Sequence, residues 1–497
     1  MPVQGRNLSM AIRTALLRQL ALPAIELCTK SRFWSDCCHS ARLDFVPVPE
    51  RLPVRAERLA EVLNCALSTP FHRERLRLAG IPETPTSPQE AFDLLTQLAP
   101  IAKADLRHRF PQGVTTPVRS SDRTYISTSG TTERLTVVAD FNKRDALRSA
   151  GFHALRIALG TDVGNRCVEI PPNACNVVCG LAEGQTPPSL LEQLWSAGRR
   201  GQLFSRETRA EIHGWVERRL LQHRQTLRPI PPGDADRLRT DLDARLADVV
   251  SERPGHLCAL PQYLLWLGDR KRARQLVWPW LQAVSPYGGL ASPRMIDRIV
   301  SSFAAPFRNL YGTNELGVIA ASCGHSLHVL EESFVIEIFS EGRPAPEGTP
   351  GEIVVTDLRN TAMPLIRYRV GDVGRITTGV CSCGRNTVNL AILGRVQEQL
   401  TSPLGPLPAA MVADAFFEDP GVANVKVEEF AAGRFEITIV ASLDGPLPDL
   451  AACQDRFAEL HGGVRQLVCR QAAFIQPEPS GKYKVVVPAP CSRQAIR

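Results

Sequence analysis

Four motifs of this chain, the second of them in two pieces, carry residue types that handle phosphates, divalent cations and ribose. Ser127-Thr128-Ser129-Gly130-Thr131-Thr132 sets hydroxyls and backbone N–H groups around a glycine, an arrangement suited to cradling phosphate oxygens. It is not a Walker A loop, because no GxxxxGK[ST] occurs in the sequence. Tyr311-Gly312-Thr313-Asn314-Glu315 places a carboxylate in a polar turn, where it can hold Mg²⁺ bridged to phosphates. Ser285-Pro286-Tyr287-Gly288-Gly289 precedes it, and paired glycines let a flat base approach the backbone. Asp372, one residue after Gly371, can accept hydrogen bonds from two vicinal ribose hydroxyls. In Ser480-Gly481-Lys482-Tyr483-Lys484 the glycine frees the backbone and Lys482 can reach outward. Taken singly, each segment also reads as an ordinary turn or a capped strand end.

A fifth set is built on thiols. Cys323 precedes His325 and His328, and Cys381-Ser382-Cys383-Gly384 follows further on. Three thiolates and one imidazole suit a tetrahedral structural Zn²⁺. Gly384 provides the tight turn that lets two thiolates of one loop face one ion. The alternative is buried or surface thiols beside a core histidine.

The elements that must position these residues follow from pattern. Residues 1–110 are expected to be helical, with loops at Pro47, Pro49, Pro53 and the cluster Pro82, Pro85, Pro88. Residues 125–127 and 135–140 read as strands around the hydroxyl-rich loop. Residues 205–250 have helical period, broken at Pro229, Pro231 and Pro232. Short strands are expected at 334–339, 352–356, 373–377 and 388–393. Residues 422–430, 434–441 and 468–475 read as strands around a helix at 448–460. The segment Ser402-Pro403-Leu404-Gly405-Pro406 is expected to be a loop. The predicted organisation is therefore α/β, with a large unit over 1–396 and a small α+β module over 397–497.

The 497 residues are 44% hydrophobic and 22% charged, which excludes a disordered or collagen-like chain. No apolar run reaches the roughly 20 residues that cross a bilayer, so no integral membrane segment is expected. The net charge of +7 comes from dispersed basic residues, which gives no support for a nucleic-acid partner. The 14 cysteines sit in a long chain without a secretion-type leader, so the compartment reads as reducing and cytoplasmic. Oligomeric state stays open, a homodimer among the options.

The order and spacing of the four segments resemble the adenylate-forming superfamily of acyl-CoA synthetases. The branch most similar in its motifs contains phenylacetate-CoA ligase, coenzyme F390 synthetase-like and CapK-like proteins. The resemblance runs over about residues 95–490 and rests on Pro100-Ile101 with Lys103, the phosphate loop, the YGxxE element and Leu327-His328-Val329-Leu330-Glu331-Glu332. Its strongest stretch is Ala362-Met363-Pro364-Leu365-Ile366-Arg367-Tyr368-Arg369-Val370-Gly371-Asp372, followed by Gly394-Arg395. The chain departs from the pattern with Glu133-Arg134 after the phosphate loop, Asn314 before the glutamate, and Gln397-Glu398 at the hinge.

The resemblance implies ATP-dependent activation of a carboxylic acid, aromatic by the branch's habit, as an acyl-adenylate. Transfer to the thiol of CoA would follow. It assigns 127–132 to the phosphates, Glu315 and its neighbours Tyr311, Gly312, Thr313 and Asn314 to ATP and Mg²⁺, and Gly288 and Gly289 to adenine. Asp372 and Arg395 go to ribose or phosphate, and Lys482, on a mobile C-terminal module, to catalysis. Relatives with Cys-x-Cys-Gly point to His328 over His325 as the partner of Cys323, Cys381 and Cys383 in a structural zinc site. A carrier-protein thiol or an amine as acceptor, and a non-catalytic nucleotide-binding scaffold of the same fold, are the alternatives.

Overall fold

The computed structural model describes residues 14–29, 31–81, 86–117, 123–127, 135–160, 165–173, 195, 198–199 and 224–489. Its organising element is an eight-stranded sheet, antiparallel throughout. The strand order is Arg343–Pro344, Phe334–Ser340, Gly351–Asp357, Tyr368–Thr377, Asn389–Arg395, Leu327–Val329, Gly317–Ser322, Leu310–Thr313. Beside it lies a four-stranded parallel sheet in the order Arg224–Thr226, Cys167–Ile170, His256–Ala259, Ala283–Pro286. A third sheet pairs Gln466–Ala472, Arg434–Ala441, Val422–Ala431 and Val486–Val487.

The helices start and stop where the sequence supplies the chemistry. Asp140 accepts from the Lys143 backbone N–H at 2.8 Å and opens Phe141–Leu159; Gly160, in the left-handed region at φ +68°, ends it. Asp234 and Asp449 cap Ala235–Glu252 and Leu450–His461 in the same way. Pro261 and Pro293 occupy first turns, where a missing N–H costs nothing.

Three buried clusters tie these parts together. The first joins the parallel sheet and the helices over 235–303 to residues 400–486, including Phe416, Phe435, Phe457 and Tyr483. The second fills the space between the eight-stranded sheet and Phe141–Leu159. In the third, Val48–Ala66 and Ala91–Gln97 cover Val335, Leu358 and Ile366. A smaller group around Phe33, Trp34 and Phe152 docks the helix Phe33–Leu43.

Three expectations need correction. Pro49 and Pro53 do not mark loops: Pro49 lies in the first turn of the helix Val48–Ala66, where a missing N–H is tolerated, and Pro53 is inside that helix, while Pro47 precedes it. Residues 402–406 are not an open loop: Gln399–Ser402 and Gly405–Pro408 pair as a β-hairpin, with Ser402 Oγ donating to the Gly405 carbonyl at 2.8 Å. Pro403 sits in the turn and Pro406 on a two-stranded ribbon, where a missing donor is tolerated. Residues 224–226 are a short edge strand rather than helix. Within 205–250, residues 205–223 lie outside the described residues.

Two histidines are held neutral in the interior. His72 lies with Nε2 2.9 Å from the Pro364 carbonyl oxygen, and burial, aided by Arg75, pushes its pKa down to about 3. His256 Nε2 is 2.7 Å from Ser285 Oγ, and burial pushes it to about 4. Both folded values lie below the ordinary 6.5. Their stabilising contribution is therefore complete above pH 6.5 and is lost as pH falls toward 4, when the unfolded chain takes protons the native one refuses. Urea midpoints should fall across that window, each histidine adding a slope of up to about 1.4 kcal/mol per pH unit. His256→Gln should show a measurably shallower decline than the native sequence.

Candidate functional site

Glu315 lies in the turn after the edge strand Leu310–Thr313 and is 2% exposed. Its Oε1 accepts from Tyr368 Oη at 3.0 Å and lies 3.8 Å from Lys103 Nζ. Gly312 is required here, since a Cβ would come within 2.2 Å of the Gly317 carbonyl oxygen at the bulge of that hairpin. Asn314 Nδ2 donates to the Ser127 carbonyl at 3.3 Å, joining this turn to the strand Thr124–Ser127 that leads into the hydroxyl-rich loop. Ser127 Oγ is 3.2 Å from Thr136 Oγ1 across the hairpin. Thr128, Ser129, Gly130, Thr131 and Thr132 lie outside the described residues.

Asp372 sits in the strand Tyr368–Thr377, which is longer than its sequence pattern indicates. Its Oδ2 accepts from Tyr311 Oη at 2.8 Å and its Oδ1 is 3.3 Å from Arg395 Nε. Asp372 and Arg395 are paired in register between neighbouring strands. Arg367, just ahead, holds φ +54° and is fixed from every side. Its N–H donates to Thr356 Oγ1 and its guanidinium to the carbonyls of Thr96 and Leu98 and to Glu337. Such over-determination is what keeps a non-glycine residue in a left-handed conformation.

The 285–289 loop leaves the parallel sheet at Ala283–Pro286. Gly288 and Gly289 have φ +63° and +95°, and a Cβ on Gly288 would lie 2.8 Å from Lys482 Nζ. The structure thus brings Lys482 against the paired glycines, though nearly 200 residues separate them. Lys482 is presented by a tight turn in which the Glu478 N–H donates to the Lys482 carbonyl at 2.8 Å and the Gly481 N–H to the Glu478 carbonyl at 2.7 Å. Tyr483 anchors that turn edge-on against Trp266, ring centroids 5.6 Å apart. Burial raises the carboxyl pKa of Glu398, at the Val396–Glu398 turn, against the opposing pull of Arg395 and Lys484.

The thiol set also converges. Cys323, His328, Cys381 and Cys383 place one donor atom each within 4.8 Å of one another. His328 Nε2 is 3.2 Å from Cys323 Sγ and 3.3 Å from Cys383 Sγ, and Cys323 Sγ is 3.8 Å from Cys381 Sγ. His328 Nδ1 is 2.8 Å from Thr387 Oγ1, which fixes the ring. Burial pushes His328 down to about 4, so it is a neutral imidazole at neutral pH. His325 contributes a backbone N–H to Cys323 Sγ at 3.5 Å. Sequence reading missed the surrounding support. Arg385 Nε and His153 Nε2 each lie 2.9 Å from Asp44 Oδ2, and Arg385 Nη1 donates to Cys383 Sγ at 3.5 Å.

In fold and motif order the chain is similar to the adenylate-forming class of ligases. No family model matches the chain. It is 25% identical over 379 residues to the phenylacetate-coenzyme A ligase of Thermus thermophilus, covering 73% of this chain and 74% of that one. Among solved structures it is similar to 2-hydroxyisobutyryl-CoA ligase in the postadenylation state with an acyl-AMP. That match has TM-score 0.65 and 19% identity, over 92% of this chain and 93% of the other. The same ligase with acyl-AMP and CoA in the thioesterification state gives TM-score 0.51 and 19% identity, over 91% and 92%.

Proposed function

We propose that this protein activates a carboxylic acid with ATP as an acyl-adenylate and then passes the acyl group to the thiol of CoA. The observation that carries this reading is twofold: Glu315, Asp372 and Arg395, from segments far apart in sequence, gather around Tyr311 and Tyr368, and Lys482 is brought against the paired glycines of the 285–289 loop. In the first half-reaction the substrate carboxylate attacks the α-phosphorus of ATP and pyrophosphate leaves. The barrier is mainly positioning and charge. Lys482 neutralises charge developing between carboxylate and α-phosphate. Asp372 accepts from the ribose hydroxyls, Arg395 lies beside it, and Gly288 and Gly289 line the adenine. Ser127 begins the phosphate loop, with Tyr311, Gly312, Thr313 and Asn314 forming its neighbouring wall. In the second half-reaction the CoA sulfur attacks the acyl carbon and AMP leaves.

Glu315 is the residue that would hold Mg²⁺, and it fits: a buried carboxylate held closely by a neutral phenol, with Lys103 Nζ farther off at 3.8 Å, keeps negative charge for a cation. Bound there, Mg²⁺ would neutralise phosphate charge. We infer a division into residues 1–396 and 397–497, with the Val396–Glu398 turn as the hinge. The higher similarity to the postadenylation state than to the thioesterification state of one ligase supports an adenylate-forming arrangement of the two parts here. Cys323, His328, Cys381 and Cys383 fit a structural Zn²⁺, since three thiols and a neutral imidazole fill a tetrahedron and leave no open position. Free thiols in such a site fit a reducing, cytoplasmic setting. Among the described residues no helix is long and apolar enough to cross a membrane.

ATP–pyrophosphate exchange over a panel of aryl, hydroxy and fatty acids tests the reading. An acid-dependent signal without CoA, converted to thioester when CoA is added, is expected. Silence across the panel from metal-replete protein would leave a nucleotide-binding scaffold instead. Gly288→Ala probes the geometry in particular. Its methyl carbon would lie 2.8 Å from Lys482 Nζ, too close for both to stay, on a backbone at φ +63°. Exchange should fall at least about tenfold with the protein still folded, since one displaced charge is worth on the order of 10²–10³ in rate when lost entirely.

A further inference from the structure

Tyr311 and Tyr368 form a crossed pair with the two carboxylates of the proposed site. Tyr311 lies four residues before Glu315, and Tyr368 four residues before Asp372. Each phenol nevertheless serves the other segment's carboxylate. Tyr311 Oη donates to Asp372 Oδ2 at 2.8 Å, and Tyr368 Oη donates to Glu315 Oε1 at 3.0 Å. The strands Leu310–Thr313 and Tyr368–Thr377 are not neighbours; three strands stand between them in the sheet order. The two side-chain bonds therefore tie together segments that no backbone pairing joins directly. All four residues are buried, Tyr368 completely, and burial raises both phenol pKa values, so the phenols remain proton donors.

We propose that Tyr311 and Tyr368 are positioning residues that orient Asp372 for ribose and Glu315 for the divalent cation, each acting across to the opposite segment. The chemistry favours phenols here. A buried carboxylate needs a hydrogen-bond donor. An arginine would supply one but would also neutralise the charge, whereas a phenol fixes the oxygen and leaves the charge for the ligand. Asp372 Oδ1 faces Arg395, which is half exposed, while Oδ2 is held by Tyr311 in the interior. Glu315 Oε1 has Lys103 Nζ at 3.8 Å, a looser contact than the phenol's.

The inference rests on the proposed roles of Asp372 and Glu315, and the test separates the two. Tyr311→Phe and Tyr368→Phe remove one oxygen each and should fold. Calorimetric binding of AMP and 2′,3′-dideoxy-AMP without metal reads the ribose contact. The Mg²⁺ concentration that half-maximally enhances ATP binding reads Glu315. Tyr311→Phe should reduce the AMP-to-dideoxy-AMP preference by about fivefold, the scale of one lost hydrogen bond, and leave the Mg²⁺ midpoint near native. Tyr368→Phe should do the reverse, raising the Mg²⁺ midpoint by about fivefold. Each variant acting on its own segment's carboxylate, both acting equally on both readouts, or neither changing either readout would overturn the crossed arrangement. Native protein that binds AMP and dideoxy-AMP alike would remove the ribose role of Asp372 itself, and with it this inference.

Discussion

Lys482→Ala is expected to lose acid-dependent ATP–pyrophosphate exchange while keeping most of its thioester formation from presupplied acyl-adenylate. The first half-reaction brings an anionic carboxylate to an anionic phosphate, and a fixed ammonium between them is worth most where water is excluded. Removing one such preorganised charge costs on the order of 10²–10³ in rate. The second half-reaction attacks an acyl carbon and has no such pairing of like charges. Gly288 offers the ammonium a backbone with no Cβ in its way, which a bulkier planar group would overfill. Lys482→Arg should therefore also fail, because a guanidinium fork is not a compact point charge. Native exchange in either variant would remove Lys482 from the chemistry. The split between half-reactions separates this role from misfolding, which would lower both.

The second large effect concerns the metal. Cys381→Ser combined with Cys383→Ser should yield a metal-free protein whose melting temperature is lower by roughly 3–10 °C, because binding free energy of a structural metal is folding free energy. Chelation of the native protein should approach the same value. The loss has a predictable path. Arg385, two residues beyond Cys383, meets Asp44 and lies with its guanidinium 5.1 Å from the centroid of the Phe45 ring, while the Asn386 N–H donates to the Asp44 carbonyl at 2.8 Å. Loosening the 381–384 turn should therefore raise amide exchange around residues 33–45, far from it in sequence. Elemental analysis finding no zinc in protein purified under reducing conditions would return the four residues to ordinary thiols and a packed histidine.

Much of the site is legible in the sequence because its chemistry is local. A Gly before Asp372, a Gly before Lys482 and a carboxylate closing a YGxxE turn can each be read within five residues. Tyr368 was not legible, since an aromatic at a strand start looks like packing, and its bond to Glu315 spans 53 positions. Asp44 and Arg385 escaped for the same reason, with 341 positions between them. The strands Cys167–Ile170, His256–Ala259 and Ala283–Pro286 carry no alternation, because parallel strands covered on both faces have no polar side to reveal them. The 399–408 hairpin was hidden by its prolines and glycine, which also mark loops. The ordered helices were easier, since Asp140, Asp234 and Asp449 announce their starts.

The central claim is that a carboxylate attacks the α-phosphorus of ATP, and isotope transfer tests it most directly. An acid found active in the exchange panel, labelled with ¹⁸O in its carboxylate, should be turned over with ATP and CoA and the products analysed by mass. Adenylate chemistry predicts one ¹⁸O in the phosphate of AMP and none in pyrophosphate. Label in inorganic phosphate, with ADP as the nucleotide product, would mean attack at the γ-phosphorus and would contradict the roles proposed for Lys482 and Asp372.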